Sequence, residues 1–358
     1  MKNDMLIVDS IVHGYNWAKS NWAQPTSALA CEAGAGFHGF LCRDEATTLT
    51  RDEFLRDWSS DEVAESIFYE SQVDIACHHG TPIWDFFKDG HCDTEKGFAM
   101  KARFPERTMI YGAINPYDPA TAVYEMEELV DRGVNGLKIY AARFHNGKTY
   151  DQRLDDPKFG YDMIEKALKL GVKTIAVHKA VPFGPVRPDP YGVADVPEAC
   201  TVFPEMNFEI VHSGFAFVDE TVALAGIPNC WFNLEVSSGL IFKAPRRFAE
   251  FMGKLLQNGA GDRIVWASGC CLTHPQPIID AFFDFQMPQD LVEGFGYPQM
   301  TPEILRGIMG ENFLRLHGID SAALKAKIAG DEVSQRQAAG LAAPWTHFRD
   351  RMAKGLAA

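Results

Sequence analysis

The sequence lacks several patterns that would assign the protein to a class at once. Its 358 residues include eight cysteines, scattered without a CxxC pair, which excludes a disulfide scaffold and gives no sign of structural zinc. No apolar run approaches the roughly 18 residues that a membrane-spanning helix needs. The first ten residues contain no apolar stretch behind a basic one. We therefore expect a cytoplasmic protein with reduced, mostly buried cysteines.

Positive charge is also scarce. The chain has 34 lysines and arginines against 48 aspartates and glutamates, a net charge of −14, so its mean field repels nucleic acid and anionic membranes. The phosphate-binding patterns GxGxxG and GxxxxGKS/T do not follow the first apolar run, which counts against a nucleotide-binding open sheet. We expect a small-molecule substrate and either a homo-oligomer or a hetero-oligomer with a homologue, with no nucleic-acid or membrane partner.

What the sequence does contain is a repeated alternation of short Val- and Ile-rich runs with longer segments of helical period. The runs that qualify as strands are residues 6–12, 73–77, 109–114, 136–140, 174–178, 208–212, 230–235 and 263–268. Helical segments at 119–132 and 160–170 each end before a glycine, as many helices do. The pattern predicts an α/β fold, a (β/α)8 TIM barrel over residues 1–320, and a C-terminal helical extension over residues 321–358.

Two long segments interrupt this alternation. Residues 16–58 are rich in glycine, alanine and aromatics, and residues 180–197 are rich in proline. Each follows a predicted strand, the first and the fifth. In a barrel such segments form long loops on the face where the strands end, which is where active sites are built.

Histidines stand where three of the apolar runs stop. His13 closes the first run, His178 the fifth and His212 the sixth. A single histidine in such a place is more often a hydrogen-bonded core residue, but three at matching strand ends converge at the mouth of a barrel. Imidazole nitrogens suit a borderline divalent cation. The sequence therefore predicts a metal site at the C-terminal mouth of the strands.

Other polar residues reach the same level of the predicted barrel. These are Asn16, Glu70, His78, His79, Lys138 and Glu235. Each has a structural alternative, such as a helix cap for Glu70 or a buried ion pair for Lys138. Glu235 is the hardest to explain structurally, because a buried carboxylate must be paired or bound to metal. We expect Lys138 and Glu235 to act in catalysis and Asn16, Glu70, His79 and Glu235 to be candidate metal ligands.

The segments GLKIY, AVHKAVPFGP, FEIVHSG, RIVWASG and ENFLRLHGI together resemble the branch of the amidohydrolase superfamily that contains the carboxymuconate-semialdehyde decarboxylase-like proteins. The resemblance spans roughly residues 6 to 319. It implies a metal at the barrel mouth, bound by an HxH pair on strand one, histidines on strands five and six, and an aspartate on strand eight. His178 and His212 match the latter histidines, and His13 matches one of the strand-one pair.

This chain departs from that ligand pattern in two places. The HxH pair is missing, and Asn16 is the nearest substitute for its second member. The strand-eight aspartate falls on Gly269 of WASGCC. Cys270, Cys271 or His274 could replace it as a thiolate ligand or a base. Alternatively, Glu70 and Glu235 with His78 or His79 could supply carboxylate and a second metal position, so we expect one or two ions of iron, manganese or zinc.

The simplest function is metal-assisted hydrolysis of an acyl bond in an amide, lactone or thioester. Loss of the strand-eight aspartate keeps three alternatives open. One is a metal-dependent decarboxylase, which needs no attacking water. Another is a dinuclear iron or iron/manganese monooxygenase on the same fold. The last is a catalytically silent partner subunit.

The predicted loops also offer substrate contacts. Lys179, Arg143 and Arg187 would hold a carboxylate or phosphate if they face the mouth, although ordinary surface charge explains them equally well. Trp17 and the other aromatics of the first loop suggest a substrate with an apolar body. The expected substrate is therefore a small acyl compound that carries a carboxylate.

Overall fold

A computed structural model describes residues 1–117 and 125–355 of the chain. The strands are β1 Val8–Val12, β2 Ile75–His79, β3 Thr81–Pro82, β4 His91–Cys92, β5 Thr108–Ala113, β6 Gly136–Tyr140, β7 Ala142–His145, β8 Lys148–Asp151, β9 Thr174–His178, β10 Asn207–Val211, β11 Cys230–Asn233 and β12 Ile264–Val265. Eight of them pair in parallel in the order β1-β2-β5-β6-β9-β10-β11-β12. A bridge between Val12 and Cys270 joins the last strand segment back to the first. The predicted (β/α)8 barrel is confirmed.

The α-helices pack around this barrel. They are α1 Ser27–Leu41, α2 Arg51–Phe54, α3 Ser60–Phe68, α4 Thr94–Arg103, α5 Met126–Asp131, α6 Gly160–Lys169, α7 Val196–Val202, α8 Val218–Ala223, α9 Leu240–Lys243, α10 Pro245–Gln257, α11 Pro275–Asp284, α12 Gln289–Phe295, α13 Pro302–Arg306, α14 Asn312–Leu316, α15 Ser321–Ile328, α16 Glu332–Ala339 and α17 Thr346–Ala353. The predicted helix at 160–170 is α6. The one at 119–132 is described only as α5, because residues 118–124 lie outside the described ranges.

Local sequence explains why these segments are helical. Ser59 caps α3 by accepting a hydrogen bond from the backbone N–H of Glu62, whose side chain reaches back to Ser59, a reciprocal pairing that satisfies two free backbone donors. In α10 a proline occupies the first turn and the buried residues Phe248, Met252 and Leu255 recur at helical spacing. Such a stripe is buried against the barrel, which holds the helix in place.

The strand register brings the predicted histidines to one end of the barrel. Val211 of β10 pairs with His178 of β9, so His212 stands one residue beyond it. The opposite end is closed by α14, since Phe313 and Leu314 pack on apolar strand residues such as Met109. The site therefore lies at the carboxyl ends of the strands, the usual location in this fold.

The first long loop contains helices. Residues 16–58 form α1 and α2, with Leu41 and Phe54 buried in the main core. The C-terminal residues form α15 to α17, and Arg107 holds this segment through a two-pronged contact with Asp331. Within the described ranges, no helix is both long and apolar enough to cross a membrane.

Candidate active site

The three strand-end histidines meet at the barrel mouth. Nδ1 of His178 lies 3.0 Å from Nε2 of His212, and the two rings are edge-to-face with centroids 4.3 Å apart. His212 has a φ of 65°, a left-handed conformation that costs energy for a residue with a side chain. That backbone turn directs the His212 ring toward His178.

Glu235 connects His212 to His13. Its carboxylate lies 3.5 Å from Nε2 of His13 and 3.3 Å from Nδ1 of His212. The next residue, Val236, also has a left-handed φ of 64°. Strained backbone on two neighbouring strand ends is typical of functional sites. The structure thus brings together four of the predicted residues, His13, His178, His212 and Glu235.

Glu235 also occupies the space next to Gly269, the position at which the family resemblance implies an aspartate. A Cβ atom built on Gly269 would lie only 2.7 Å from Oε1 of Glu235. A side chain at position 269 and the present position of Glu235 therefore exclude each other. The carboxylate beside Gly269 therefore belongs to Glu235, which follows β11, the seventh strand of the barrel.

The proton positions on two histidines are fixed by backbone carbonyls. Nδ1 of His13 donates to the carbonyl of His79 at 2.8 Å, and Nε2 of His178 donates to the carbonyl of Val181 at 2.6 Å. Each ring, when neutral, therefore turns a lone pair inward, toward Glu235 and His212 respectively. Metal-binding histidines are oriented in the same way, with the outer N–H held by a carbonyl.

The inward-facing atoms fit a divalent cation in their chemistry. Lone pairs of His13 and His178 point at a carboxylate and at another imidazole, contacts that a bound cation would make favourable. Oε2 of Glu235 is buried with no hydrogen-bond partner among the described residues. Over residues 1–117 and 125–355, no three His, Cys, Asp or Glu side chains already surround a common point as a metal shell. The donors instead face one another directly.

Burial and neighbouring charge set the protonation states at the mouth. Burial raises the pKa of Glu235, but His212, His13 and Lys138 outweigh it and bring the pKa down to about 2. Burial lowers the pKa of His212 to about 4 and that of His178 well below its usual value. The site therefore favours the ionised carboxylate of Glu235 and the neutral imidazoles of His178 and His212, the forms in which such side chains bind a metal.

A cavity of about 60 Å³ opens on these side chains. Its walls are mainly apolar and aromatic and include Tyr15, Trp17, Phe37, Tyr140, Phe183 and Leu272. Tyr15 stacks on the ring of His13 at 4.8 Å and Tyr140 on that of His178 at 4.0 Å. Both long loops contribute to the walls, which places Trp17 where the sequence predicted it.

Three candidate ligands are not in this cluster. Nδ2 of Asn16 donates to Asp89 at 2.8 Å, and its Oδ1 accepts from the backbone of Ala18. Glu70 is occupied by the C-terminal segment, where it accepts from the backbone N–H groups of Trp345 and His347. Because Asn16 and Glu70 are held elsewhere, they do not form the second ligand set that a dinuclear oxygenase would use.

His79 is the third of these candidates. Its ring stacks on Tyr111 at 4.2 Å and lies edge-to-face to the His13 ring at 6.2 Å. Neither ring nitrogen has a hydrogen-bond partner in the described part of the chain. His79 thus contributes its carbonyl oxygen to the site, by orienting His13, while its side chain lies behind the ligand cluster.

The expected substitutes for the strand-eight aspartate do not replace it. His274 lies 3.1 Å from Glu70 through its Nε2 atom, in the contact with the C-terminal segment. Cys270 and Cys271 are fully buried, and burial raises the pKa of the Cys270 thiol well above its usual value. The backbone of this pair does contribute, since the N–H of His13 donates to the carbonyl of Cys270 and the N–H of Cys271 to that of His13.

The predicted substrate-binding cations are all paired with aspartates. Lys179 lies 2.7 Å from Asp195, both of them buried, and Arg143 contacts Asp85 at 2.9 Å. Arg187 is exposed and pairs with Asp151. These pairs occupy the charged ends of the side chains, so the expected contacts from Lys179, Arg143 and Arg187 to a substrate carboxylate are not supported.

Lys138 is buried beneath the cavity. Burial lowers its pKa to about 8, although Glu235 and Glu209 oppose the shift. Its Nζ atom has no hydrogen-bond partner within the described ranges. The ammonium group therefore acts on Glu235 through its charge, since it makes no direct contact with that carboxylate.

A polar network inside the barrel was not among the features predicted from the sequence. Oδ1 of Asn233 accepts from the backbone N–H of Glu235 at 2.9 Å, and its Nδ2 donates to Ser10 at 2.9 Å and to Glu209. Glu209 also accepts from the hydroxyl of Tyr111 at 3.2 Å. The sequence does contain a sign of this network, because Glu209 and Asn233 are polar residues inside otherwise apolar strands. Asn233 fixes the turn that carries Glu235.

Comparison with known proteins agrees with this architecture. A sequence model of an amidohydrolase family matches residues 90–319. No curated protein sequence matches the chain. Among solved structures, an uncharacterised TIM-barrel protein of Bordetella bronchiseptica is 14% identical, with 88% of this chain and 99% of that chain covered and a TM-score of 0.59.

Two enzymes also share the fold. A 5-carboxyvanillate decarboxylase of Novosphingobium aromaticivorans, solved with bound manganese, is 10% identical over 89% of this chain and 98% of that chain, with a TM-score of 0.54. A 2,6-dihydroxybenzoate decarboxylase from Rhizobium is 12% identical over 88% and 99%, with a TM-score of 0.52. At these identities the similarity establishes the barrel, and it leaves the reaction to be inferred from the site.

Proposed function

The chain belongs to the amidohydrolase family, and from this premise we propose that it catalyses metal-assisted hydrolysis of an acyl bond in a small molecule. One observation carries the proposal. Glu235 lies where a strand-eight carboxylate would be, 2.7 Å from the Cβ position of Gly269, and is ionised at neutral pH because its pKa is lowered to about 2. In this proposal Glu235 takes the role that the family resemblance implies for an aspartate after the eighth barrel strand.

The proposed ligands are His13, His178, His212 and Glu235. The inward lone pairs of His13 and His178 support this assignment, as does the oxygen of Glu235 that lacks a hydrogen bond in the described chain. When bound, a divalent cation lowers the pKa of its water toward neutrality and polarises the acyl oxygen.

The remaining roles fall to the side chains themselves. Glu235 accepts the proton of the attacking water at its carboxylate and returns it to the leaving group, as a general base and then a general acid. The charge of Lys138 favours the ionised form of Glu235. Tyr15 and Tyr140 stack on His13 and His178 and hold their rings, and the aromatic walls exclude bulk water.

Decarboxylation is a second candidate, favoured by Lys138. That buried ammonium has no described hydrogen-bond partner and is electrostatically coupled to the mouth. Decarboxylation requires stabilisation of negative charge and delivery of a proton to carbon, and a buried cation could assist both. Lys138 lies below the cavity wall, however, and Glu235 is directly on it, so hydrolysis has the better-placed group.

Metal analysis joined to two assays tests the proposal. Protein purified without added cations, and again after incubation with zinc, manganese or ferrous iron, is assayed for metal, for ester and lactone hydrolysis, and for carbon dioxide release from benzoic acids. His178→Ala is expected to lose both metal and hydrolysis. His145→Ala serves as a control, since His145 is 59% exposed on β7.

The outcomes separate the candidates. Stoichiometric metal with ester or lactone turnover supports hydrolysis, whereas metal with carbon dioxide release and no hydrolysis replaces it by decarboxylation. Protein that neither retains nor takes up a divalent cation contradicts the proposal and leaves the silent partner subunit.

A further inference from the structure

We infer that the proposed hydrolytic site accepts an uncharged, apolar acyl compound. It discriminates against substrates that carry an anionic group in addition to the acyl group. This inference rests on the proposed function and adds the substrate class to it. It reverses the sequence-based expectation of a carboxylate-bearing substrate, and it depends on the charges and the shape of the cavity wall.

The first observation concerns charge on the wall of the cavity. In the described chain, the lining residues include Glu235 and four histidines, His13, His91, His178 and His212, but no lysine or arginine. Burial places the pKa of His91 well below its usual value, so that ring is neutral. A substrate carboxylate inside the cavity would therefore face the carboxylate of Glu235, with no lysine or arginine on the wall to bind it.

The second observation is that nearby loop cations are already neutralised. Lys179 and Asp195 are both almost fully buried and lie 2.7 Å apart. Two nitrogens of Arg143 contact the two oxygens of Asp85 at 2.9 and 3.2 Å. Recruiting either cation to a substrate would leave a buried or half-buried aspartate unpaired, which is strongly unfavourable.

A bound divalent cation does not remove this selectivity. Its charge is partly balanced by Glu235, and the proposed reaction uses it for the water and for the acyl oxygen. An additional carboxylate at the far end of the substrate would lie among Trp17, Phe37 and Phe183. An unpaired carboxylate loses its hydration in such surroundings and gains no hydrogen bonds.

The third observation concerns the shape of the cavity. Its volume of about 60 Å³ is less than half the roughly 150 Å³ of an apolar cavity that binds benzene. The wall is tight because Trp17 lies directly on Gly34 of α1. A Cβ at Gly34 would be 2.3 Å from the Trp17 ring. A ring of the size of benzene therefore needs more room than the cavity has, and the half-buried Phe183 is one of the side chains on its wall.

Two pairs of probes test the inference on the metal-loaded wild-type enzyme. Phenyl acetate is compared with 4-acetoxybenzoate, each kcat/KM being divided by the uncatalysed hydrolysis rate of the same ester. We expect the uncharged ester to be favoured by about tenfold or more, because the charged one buries an unpaired carboxylate. Binding is compared separately with acetanilide and 4-acetamidobenzoate, and only acetanilide is expected to raise the melting temperature.

A variant tests whether the Trp17 wall sets the size limit. Gly34→Ala should push the Trp17 ring into the cavity and lower kcat/KM for phenyl acetate by about tenfold. Gly36→Ala is the matched control on the same helix, since no described atom lies within 4 Å of its Cβ position. If Gly34→Ala fails to fold, Trp17→Leu serves as the second variant. It removes the ring and should raise kcat/KM for bulkier esters.

The results distinguish this inference from the proposed function. Equal or better turnover of 4-acetoxybenzoate, together with equal binding of 4-acetamidobenzoate, overturns the substrate class and leaves hydrolysis intact. Acetanilide binding in a metal-loaded enzyme that hydrolyses neither esters nor lactones keeps the substrate class and overturns the proposed function.

Discussion

Two buried glutamates in this protein, each set between two histidines, lie in different regions and differ in how their oxygens are bonded. Glu235 lies at the barrel mouth with His13 and His212. Glu70 lies under the C-terminal strap, residues 321–355, with His274 and His347. Glu70 and Glu235 are 0% and 1% exposed, so burial does not distinguish them.

The two carboxylates differ in how their oxygens are used. Both oxygens of Glu70 accept two hydrogen bonds each, from His274 Nε2, His347 Nδ1 and the backbone N–H groups of Trp345 and His347. Oε2 of Glu235 accepts none from the described residues and lies beside a cavity. A carboxylate with all its acceptor positions filled is structural, and one with an unused buried oxygen is available to a ligand or a proton.

The largest expected effect contrasts the activities of Glu235→Gln and Glu70→Gln. Glu235→Gln should lower kcat by about a thousandfold, because it removes both a metal ligand and the general base. Glu70→Gln should leave the kcat of the folded fraction within about threefold, a change that loss of a group acting in chemistry would far exceed. Active-site titration with steady-state kinetics measures both, and similar losses in the two variants would contradict the distinction.

The next effect concerns the space beside Glu235. Gly269→Ala puts a methyl group 2.7 Å from Oε1 of Glu235 at a φ of 67°, so it should displace the carboxylate and reduce kcat by about tenfold or more. Gly171→Ala carries the same kind of backbone strain, at a φ of 86°, with no described atom within 4 Å. The positive φ alone should cost each variant about 1 kcal/mol of stability, and Gly269→Ala should lose more because it also displaces a buried carboxylate.

Only a difference in activity between these alanine variants supports the displacement of Glu235. If Gly269→Ala and Gly171→Ala lose the same stability and neither loses activity, the close contact of Gly269 with Glu235 has no functional meaning. Urea unfolding and kcat measured on the same preparations decide between the outcomes.

The sequence predicted the barrel and its strand-end histidines because both depend on local pattern. The alternation of apolar runs and helical segments sets the fold, and a polar residue at the end of a parallel strand has to face the mouth. His13, His178 and His212 accordingly lie where the pattern put them. The sequence shows only that the expected strand-eight aspartate is absent. The carboxylate of Glu235 that lies in its place follows a different strand.

The remaining candidates were misplaced because their partners are distant in sequence. Glu70 is held by residues 275 and 277 positions further along the chain. Lys179 is an exception in distance, because Asp195 is only 16 positions away, but their pairing still depends on how the loop between them folds. Whether a charged side chain is free or paired depends on contacts of this kind. Asn233 could have been noticed as an amide inside an apolar strand, but its role in fixing Glu235 needs the structure.

A smaller effect is expected on stability, where Glu70 matters and activity is nearly unchanged. Glu70→Gln should lower the free energy of unfolding by about 3 kcal/mol, because it leaves buried donors of Trp345, His347 and His274 poorly matched. Glu332→Gln is the control within the same strap, since Glu332 is 58% exposed and should cost under about 1 kcal/mol. Urea denaturation at neutral pH measures both, and equal losses would show that the strap does not depend on the buried carboxylate.

The smallest effect is the pH dependence of that contribution. Burial raises the pKa of Glu70, but hydrogen bonds from His274 and His347 outweigh it and lower the pKa below its usual value of 4.5. The ionised carboxylate therefore stabilises the fold above about pH 4.5, and this contribution is lost as the pH falls through the lowered pKa. Since Gln does not titrate, the stability difference between the wild type and Glu70→Gln should be largest above pH 4.5 and should shrink as the pH falls below it. A stability difference that stays constant over this range would mean that the strap is held by the geometry of its hydrogen bonds, without a contribution from the negative charge of Glu70.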